Sequence, residues 1–77
     1  MNNQRRKRIQ DVRDKLEELK AEIESLQEEE DEAYNNLPEG LQDGERGQAM
    51  YEAADNLQSA ADGIDEVLDY LDQSVEQ

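Results

Sequence analysis

Apolar residues recur through the first half of the chain at alternating intervals of three and four positions. They occupy two positions of a seven-residue repeat, with Ile9, Leu16 and Ile23 at a and Val12, Leu19 and Leu26 at d. This spacing is typical of the narrow contact stripe of a coiled-coil helix, which suits one neighbouring helix. It predicts a first helix at about residues 4–36. Pro38 predicts the end of that helix, because proline disfavours helical geometry in the residue before it.

The second half of the chain repeats the heptad with a wider apolar face. Its members are Met50, Leu57, Ile64 and Leu71 at a, Ala53, Ala60, Val67 and Ser74 at d, and Ala54, Ala61, Leu68 and Val75 at e. Such a face is broader than one partner helix can cover. It predicts a second helix at about residues 45–75, after a connection at about 37–44. Asp43 is the predicted N-cap of this helix, and we expect Leu37 and Leu41 to fold inward.

These patterns predict an all-α protein with a single domain, residues 1–77, folded as an antiparallel helical hairpin (a coiled coil). The surplus face of the second helix favours the pairing of two hairpins into a homodimeric four-helix bundle. The predicted self-association residues are Ala53, Ala54, Leu57, Ala60, Ala61, Ile64, Leu68 and Leu71. The alternative is a monomeric hairpin with a few exposed alanines, because alanine is a weak hydrophobe and a strong helix former.

The charge of the chain is strongly negative and unevenly distributed. There are 22 acidic and 8 basic residues, for a net charge of −14. Residues 1–20 hold seven bases and four acids, whereas residues 21–77 hold eighteen acids and one base, Arg46. Such an acidic body repels nucleic acid and anionic membranes and favours cationic protein surfaces. We therefore expect no stable binding to duplex DNA, no membrane association and a cytoplasmic location.

One set of carboxylates in the second predicted helix is regularly spaced. The six residues of this acidic stripe are Asp55, Asp62, Asp65, Asp69, Asp72 and Glu76. Most of them recur at steps of three and four, so neighbouring charges lie about 4.5–6 Å apart along the helix. This spacing is comparable to that of phosphates on a DNA strand, and the stripe could imitate a nucleic acid in the basic groove of another protein. The alternative is the solvated outer surface of an acidic helix.

The basic end of the chain contains one cluster of bases, in the first turns of the first predicted helix. Its residues are Arg5, Arg6, Lys7 and Arg8. Because the helix dipole disfavours cations there, either the end of the helix frays or the charges serve a purpose. That purpose is pairing with acids near the end of the second helix, such as Asp69, Asp72 and Glu76, or contact with a phosphate, a nucleotide or an acidic partner. Arg46 has the same two interpretations, a local ion pair or an anion contact.

The residue types of common catalytic and metal sites are missing from this sequence. It contains no histidine and no cysteine, and it has no nucleophile–base arrangement or phosphate-binding loop. A helical hairpin also offers little concave space in which a carboxylate could be desolvated. We therefore expect no enzymatic activity, no cofactor and no metal site.

The segment YNNLPEGLQ, within residues 33–47, resembles short acidic proteins encoded by phages and mobile elements of Gram-positive bacteria. The resemblance extends along most of the chain and includes residues 5–9 and 55–57. Small acidic phage proteins often inhibit host defence proteins or host enzymes. Most proteins of this kind have no assigned function, so the resemblance implies a genomic setting in a bacterial host rather than an activity. That setting favours a stoichiometric inhibitor, and the resemblance assigns no site residues.

Three hypotheses about function follow. The first is a non-catalytic protein-binding module, a phage-encoded acidic inhibitor that mimics DNA and blocks a basic surface of a nucleic-acid-binding or defence protein of the host. The second is a structural or adaptor coiled-coil protein whose main partner is itself or another helical protein. The third is a sponge for a phosphorylated signal molecule, bound by the basic cluster or by Arg46.

Overall fold

The computed structural model describes residues 2–77 and contains three helices. They are α1 at Asn3–Asn35, α2 at Glu39–Gln42 and α3 at Glu45–Glu76. No strand occurs among the described residues, so the prediction of an all-α fold is confirmed. The long helices α1 and α3 occupy the places of the two predicted helices, and the short α2 lies within the predicted connection.

The two long helices begin differently. Asn2 caps α1, because its Oδ1 accepts a hydrogen bond of 2.7 Å from the backbone N–H of Arg5. The residue before α3 is Gly44, whose backbone is extended and which has no side chain to act as a cap. The expectation that Asp43 caps α3 is therefore wrong. Asp43 has helical backbone geometry at the end of α2, whereas an N-cap residue needs extended geometry.

The connection is held against the end of α1 by Gln42. Its Nε2 donates hydrogen bonds of 3.2 Å to the carbonyl oxygens of Tyr34 and Leu37. Leu37 is half-buried, as expected, but Leu41 is 54 % exposed. The inward placement predicted for Leu41 is wrong, because the next residue, Gln42, takes the inward position.

Gly47 is the point at which the connection comes closest to α3. A Cβ atom at Gly47 would lie 2.0 Å from the carbonyl oxygen of Gln42 and 2.7 Å from its Cα. Both distances are far shorter than a van der Waals contact, so only glycine leaves enough room. The heptad pattern does not predict this contact, because the connection, rather than the helix itself, creates it.

The helices α1 and α3 run antiparallel, and four cross-helix pairs set their register. From the open end of the hairpin to the connected end, the pairs are Arg13–Asp72, Lys20–Asp65, Gln27–Gln58 and Tyr34–Tyr51. Successive pairs are seven residues apart on α1 and seven residues apart, in the reverse direction, on α3. The register between the two helices is therefore the same along the whole hairpin. The hairpin is elongated and measures 59 × 15 × 12 Å.

The contact between the two helices uses heptad positions a and e, which we call the seam. On α3 the residues at e are buried except for the half-buried Val75, and the buried ones are Gly47, Ala54, Ala61 and Leu68. On α1 the residues at e are half-buried, and they are Arg6, Arg13, Lys20, Gln27 and Tyr34. The residues at a are half-buried on both helices. The small residues at e of α3 leave room for the long aliphatic stems on α1, whose charged ends reach the rim.

The d residues of α1 lie at the margin of the contact with α3 rather than within it, which differs from the expectation. Val12, Leu19 and Leu26 are 49 %, 50 % and 51 % exposed. The helix α1 is rotated about its axis, so that e rather than d faces α3. The ends of Arg13 and Lys20 find carboxylates there, whereas the apolar d residues are left outside the seam.

The core of the hairpin is thin. The buried hydrophobic residues in the described chain are Ala54, Ala61 and Leu68, and no large side chain there is completely buried. The accessible surface is 5970 Å², whereas a compact monomer of this mass exposes about 4,800 Å². The hairpin therefore leaves about 1,200 Å² more surface in water than a compact domain would.

Candidate functional site

The seam divides the hairpin into two faces. Around each helix, position d lies beside a and position b lies beside e, on opposite sides of the seam. In an antiparallel pair packed through a and e, both d rows therefore lie on one face. Two grooves between the helices agree with this division. Val12 lines one groove with Leu71, and Arg13 lines another with Asp72 and Val75.

The polar face carries two ion pairs between the helices. Lys20 Nζ lies 2.7 Å from Asp65 Oδ1, and Arg13 donates to both carboxylate oxygens of Asp72. The hydrogen bond to Asp65 raises the pKa of Lys20, and the hydrogen bond to Asp72 raises the pKa of Arg13. Because both pairs are accessible to water, they fix the register of the helices more than they stabilise the fold.

Uncharged pairs continue the polar face towards the connection. Gln27 Nε2 donates a hydrogen bond of 2.8 Å to Gln58 Oε1. The rings of Tyr34 and Tyr51 meet edge to face, with centroids 6.3 Å apart and planes at 61°, a favourable arrangement for aromatic rings. The polar face is thus occupied by contacts within the hairpin along most of its length.

The opposite face, which we call the apolar face, is built from the d residues of both helices. Its members are Val12, Leu19 and Leu26 of α1 and Ala53, Ala60 and Val67 of α3. About half of each large side chain is exposed, with Val67 at 45 %. The half-buried residues at a lie between the two rows, and they are apolar along both helices except for Glu30 of α1. Soluble monomers rarely leave a long apolar strip uncovered, so this face is the candidate interaction site.

The predicted self-association residues are divided between the seam and the apolar face. The residues at e are buried in the seam, and they are Ala54, Ala61 and Leu68. The residues at a are half-buried, and they are Leu57, Ile64 and Leu71. The residues at d lie on the apolar face, and they are Ala53 and Ala60. The e residues contact α1 and are therefore not available to a second hairpin. The apolar face instead includes Val12, Leu19 and Leu26, for which the heptad pattern predicts a contact within the hairpin.

The acidic stripe is divided between two environments. Asp65 and Asp72 are held in ion pairs with bases of α1. The remaining members, which are exposed at position f, are Asp55, Asp62, Asp69 and Glu76, and Asp62 accepts a hydrogen bond of 3.0 Å from Gln58. Residues one heptad apart lie about 10.5 Å apart along a helix. The carboxylates outside ion pairs are therefore spaced about twice as widely as in the complete stripe, which weakens the likeness to a phosphate backbone.

The basic cluster lies at the open end of the hairpin. The ion pairs in the described chain involve Arg13 and Lys20 as their bases, so Arg5, Arg6, Lys7, Arg8 and Arg46 take part in none of them. The pairing considered for the cluster with acids at the end of α3 is not among these ion pairs: Arg13 takes Asp72, and Asp69 and Glu76 are exposed at position f. Arg6 instead donates from Nε, over 3.2 Å, to the carbonyl oxygen of Val75, which ties the open ends of the helices together.

Within residues 2–77, no three acidic side chains converge closely enough to hold a metal ion. Of the helices described, none has both the length and the apolar character needed to cross a membrane. No family model, no curated protein and no solved structure matches the chain.

Proposed function

We propose that the protein is a non-catalytic helical adaptor that binds another helical surface through its apolar face. In the simplest case the partner is a second copy, and two hairpins form a four-helix bundle. The observation that carries the proposal is the exposure of Val12, Leu19 and Leu26, which recur at heptad spacing and are each about half exposed. Heptad-spaced aliphatic residues are what one helix uses to pack against another.

The area of exposed surface also supports the proposal. Each partner in a standard protein–protein interface buries about 800 Å². The hairpin exposes about 1,200 Å² more than a compact monomer of its mass. This excess is larger than one partner's share of a standard interface, and covering the apolar face would supply apolar burial that the thin core lacks.

A second candidate function is an acidic inhibitor that occupies the basic groove of a nucleic-acid-binding or defence protein of a bacterial host. The exposed carboxylates of Asp55, Asp62, Asp69 and Glu76 favour it. The ion pairs of Asp65 and Asp72 weigh against it, because they partly neutralise the stripe and widen the spacing of the remaining charges. The adaptor function does not require these ion pairs to break, since the apolar face is already exposed.

The experiment that tests the adaptor function is sedimentation velocity over a concentration series, for the wild-type chain and for three aspartate variants. Leu19→Asp and Val67→Asp place a carboxylate on the apolar face, and each should raise the dissociation constant of self-association about a hundredfold or more. Leu41→Asp is the matched control, because Leu41 is exposed to a similar degree but lies in α2. It should change the dissociation constant less than about twofold.

Salt separates the two candidate functions. Binding through the apolar face should persist when the salt concentration is raised, whereas binding of an acidic stripe to a basic groove should weaken steeply. Equal weakening by Leu41→Asp and Leu19→Asp would contradict the role of the apolar face. A wild-type chain that stays monomeric at all concentrations would leave only a different helical protein as the partner.

A further inference from the structure

We propose that the occupant of the apolar face is a second copy of this chain, docked so that α1 lies antiparallel on α1 and α3 lies antiparallel on α3. The two-fold axis passes beside Leu19 and Val67. This inference rests on the proposed function and specifies its partner and its geometry.

The position of the axis follows from the two d rows. Leu19 lies at the middle of α1, with Val12 and Leu26 one heptad away on either side. A two-fold axis at Leu19 places Leu19 against its own copy and Val12 against Leu26 of the partner subunit. Because Lys20 pairs with Asp65, Leu19 is level with Val67 to within about one residue, or ~1.5 Å. The same axis therefore sets Val67 against its own copy.

Charged residues beside the apolar face are complementary in this arrangement. Position g of α1 borders the d row, and its residues are in order Arg8, Lys15, Glu22 and Glu29, two bases followed by two acids. Docking about Leu19 brings Lys15 beside Glu22 of the partner subunit and Arg8 beside Glu29 of the partner subunit, and symmetry repeats both pairs. In the described chain none of these four residues takes part in an ion pair within the hairpin.

Position g of α3 is complementary in shape. Tyr70 is 71 % exposed, and a Cβ atom at Gly63 would meet nothing within 4 Å. Packing within the hairpin thus explains neither the large side chain at Tyr70 nor the missing one at Gly63. About an axis at Val67, Tyr70 of the partner subunit is level with Gly63 to within about one residue. The ring of the tyrosine then lies over the bare backbone of the glycine.

Another antiparallel bundle can be built by stacking α1 on α3 of the second copy, with the two-fold axis parallel to the helices. In that arrangement the g row of α1 faces the g row of α3. The latter consists of Ala49, Asn56, Gly63 and Tyr70, which carry no charge. The bases and acids at g of α1 would then face an uncharged row, so charge complementarity favours the arrangement of α1 on α1.

A charge-exchange experiment tests the pairing of Lys15 with Glu22 of the partner subunit. Lys15→Glu and Glu22→Lys should each raise the dissociation constant of the dimer about tenfold, because each replaces two attractive contacts by two repulsive ones. The double variant should restore the wild-type value to within about threefold. Glu22→Lys lowers the net negative charge, so general repulsion between acidic chains predicts tighter association for it. Tighter association of Glu22→Lys, or no restoration in the double variant, would overturn the inference.

Cysteine cross-linking tests the position of the axis, since the chain has no cysteine of its own. Leu19→Cys and Val67→Cys should each form a disulfide with their own copy under mild oxidation, giving a covalent dimer in more than about half of the chains. Leu41→Cys should not. If neither single variant cross-links but a mixture of Leu19→Cys and Val67→Cys does, α1 lies on α3 and the inference is wrong.

The two proposals fail in different ways. If Leu19→Asp dissociates the protein but the charge exchange has no effect, the apolar face binds a second copy in another register, so the docking geometry fails and the adaptor function stands. If Leu19→Asp has no effect, the adaptor function fails, and the docking geometry fails with it. Circular dichroism of each variant shows whether the helices are intact, and all the substituted side chains are at least partly exposed.

Discussion

Lys20 Nζ lies 2.7 Å from Asp65 Oδ1 across the two long helices of the hairpin. This pair and the neighbouring pair, Arg13 with Asp72, are separated by one heptad on each helix. Together they hold α1 in the rotation that turns position e towards α3. The d residues, including Leu19, consequently lie outside the seam and form the apolar face.

We predict that exchanging the charges of Lys20 and Asp65 restores what each single change removes. Lys20→Asp and Asp65→Lys should each lower the melting temperature, because each places two like charges side by side across the helices. The double variant should recover most of the loss. Lys7→Asp is the control for net charge, since Lys7 takes part in no ion pair in the described chain. Thermal unfolding followed by circular dichroism measures all four variants, and a double variant no more stable than the singles would refute the pairing.

The contribution of Lys20 to stability should disappear at high pH. Its pKa is raised in the folded protein by the hydrogen bond to Asp65, so the folded state binds the proton more tightly than the unfolded state. The contribution is therefore complete below the unfolded pKa of about 10.5 and is lost as the pH rises through the folded value. The difference in melting temperature between wild type and Lys20→Gln should stay constant from pH 7 to about 9.5 and shrink above about 10.5. A difference that grew with pH would contradict this sign.

Leu68→Ala should be among the most destabilising substitutions in the chain. Leu68 is the largest of the buried hydrophobic residues and is 6 % exposed. Removing a buried leucine side chain costs about 2–5 kcal/mol, a large part of the stability that a small domain possesses. Leu41→Ala, at a leucine 54 % exposed, should cost less than about 1 kcal/mol. Urea unfolding measures both, and similar losses would show that the core does not lie at position e.

Gly47→Ala should destabilise the hairpin even though alanine favours helices. The added methyl group would lie 2.0 Å from the carbonyl oxygen of Gln42, and such overpacking costs about 1–3 kcal/mol. Gly40→Ala is the matched control, because a Cβ atom there meets nothing within 4 Å, and it should be neutral or stabilising by up to about 1 kcal/mol. A stabilised Gly47→Ala variant in urea unfolding would mean that the connection does not lie against α3.

The sequence predicts the helices well because their signals are local. Heptad spacing defines the long helices, and Pro38 marks the end of the first one. The choice between positions d and e is not local. It depends on the alanines at e of α3, which leave room for the stems of Arg13 and Lys20, and on acids such as Asp65 being level with them. A rule that places apolar residues in the contact therefore assigns Leu19 to the wrong side.

The candidate site illustrates the same limit. The width of the apolar face on α3 correctly indicates that more apolar surface exists than one helix covers. Which residues remain exposed follows only from the rotation of both helices, and Ala54 and Ala61 are buried whereas Val67 is not. Spacing alone defines the acidic stripe, and that spacing does not reveal that Asp65 and Asp72 have partners on α1.

The central claim is that hairpins associate side by side through the apolar face, and small-angle X-ray scattering of the wild-type chain tests it most directly. The account predicts a mass of two chains and a maximum dimension only about 10 Å greater than that of one hairpin, since the helices lie alongside each other. A single hairpin is 59 Å long. A mass of one chain at high concentration, or a maximum dimension near twice the hairpin length, would contradict the account.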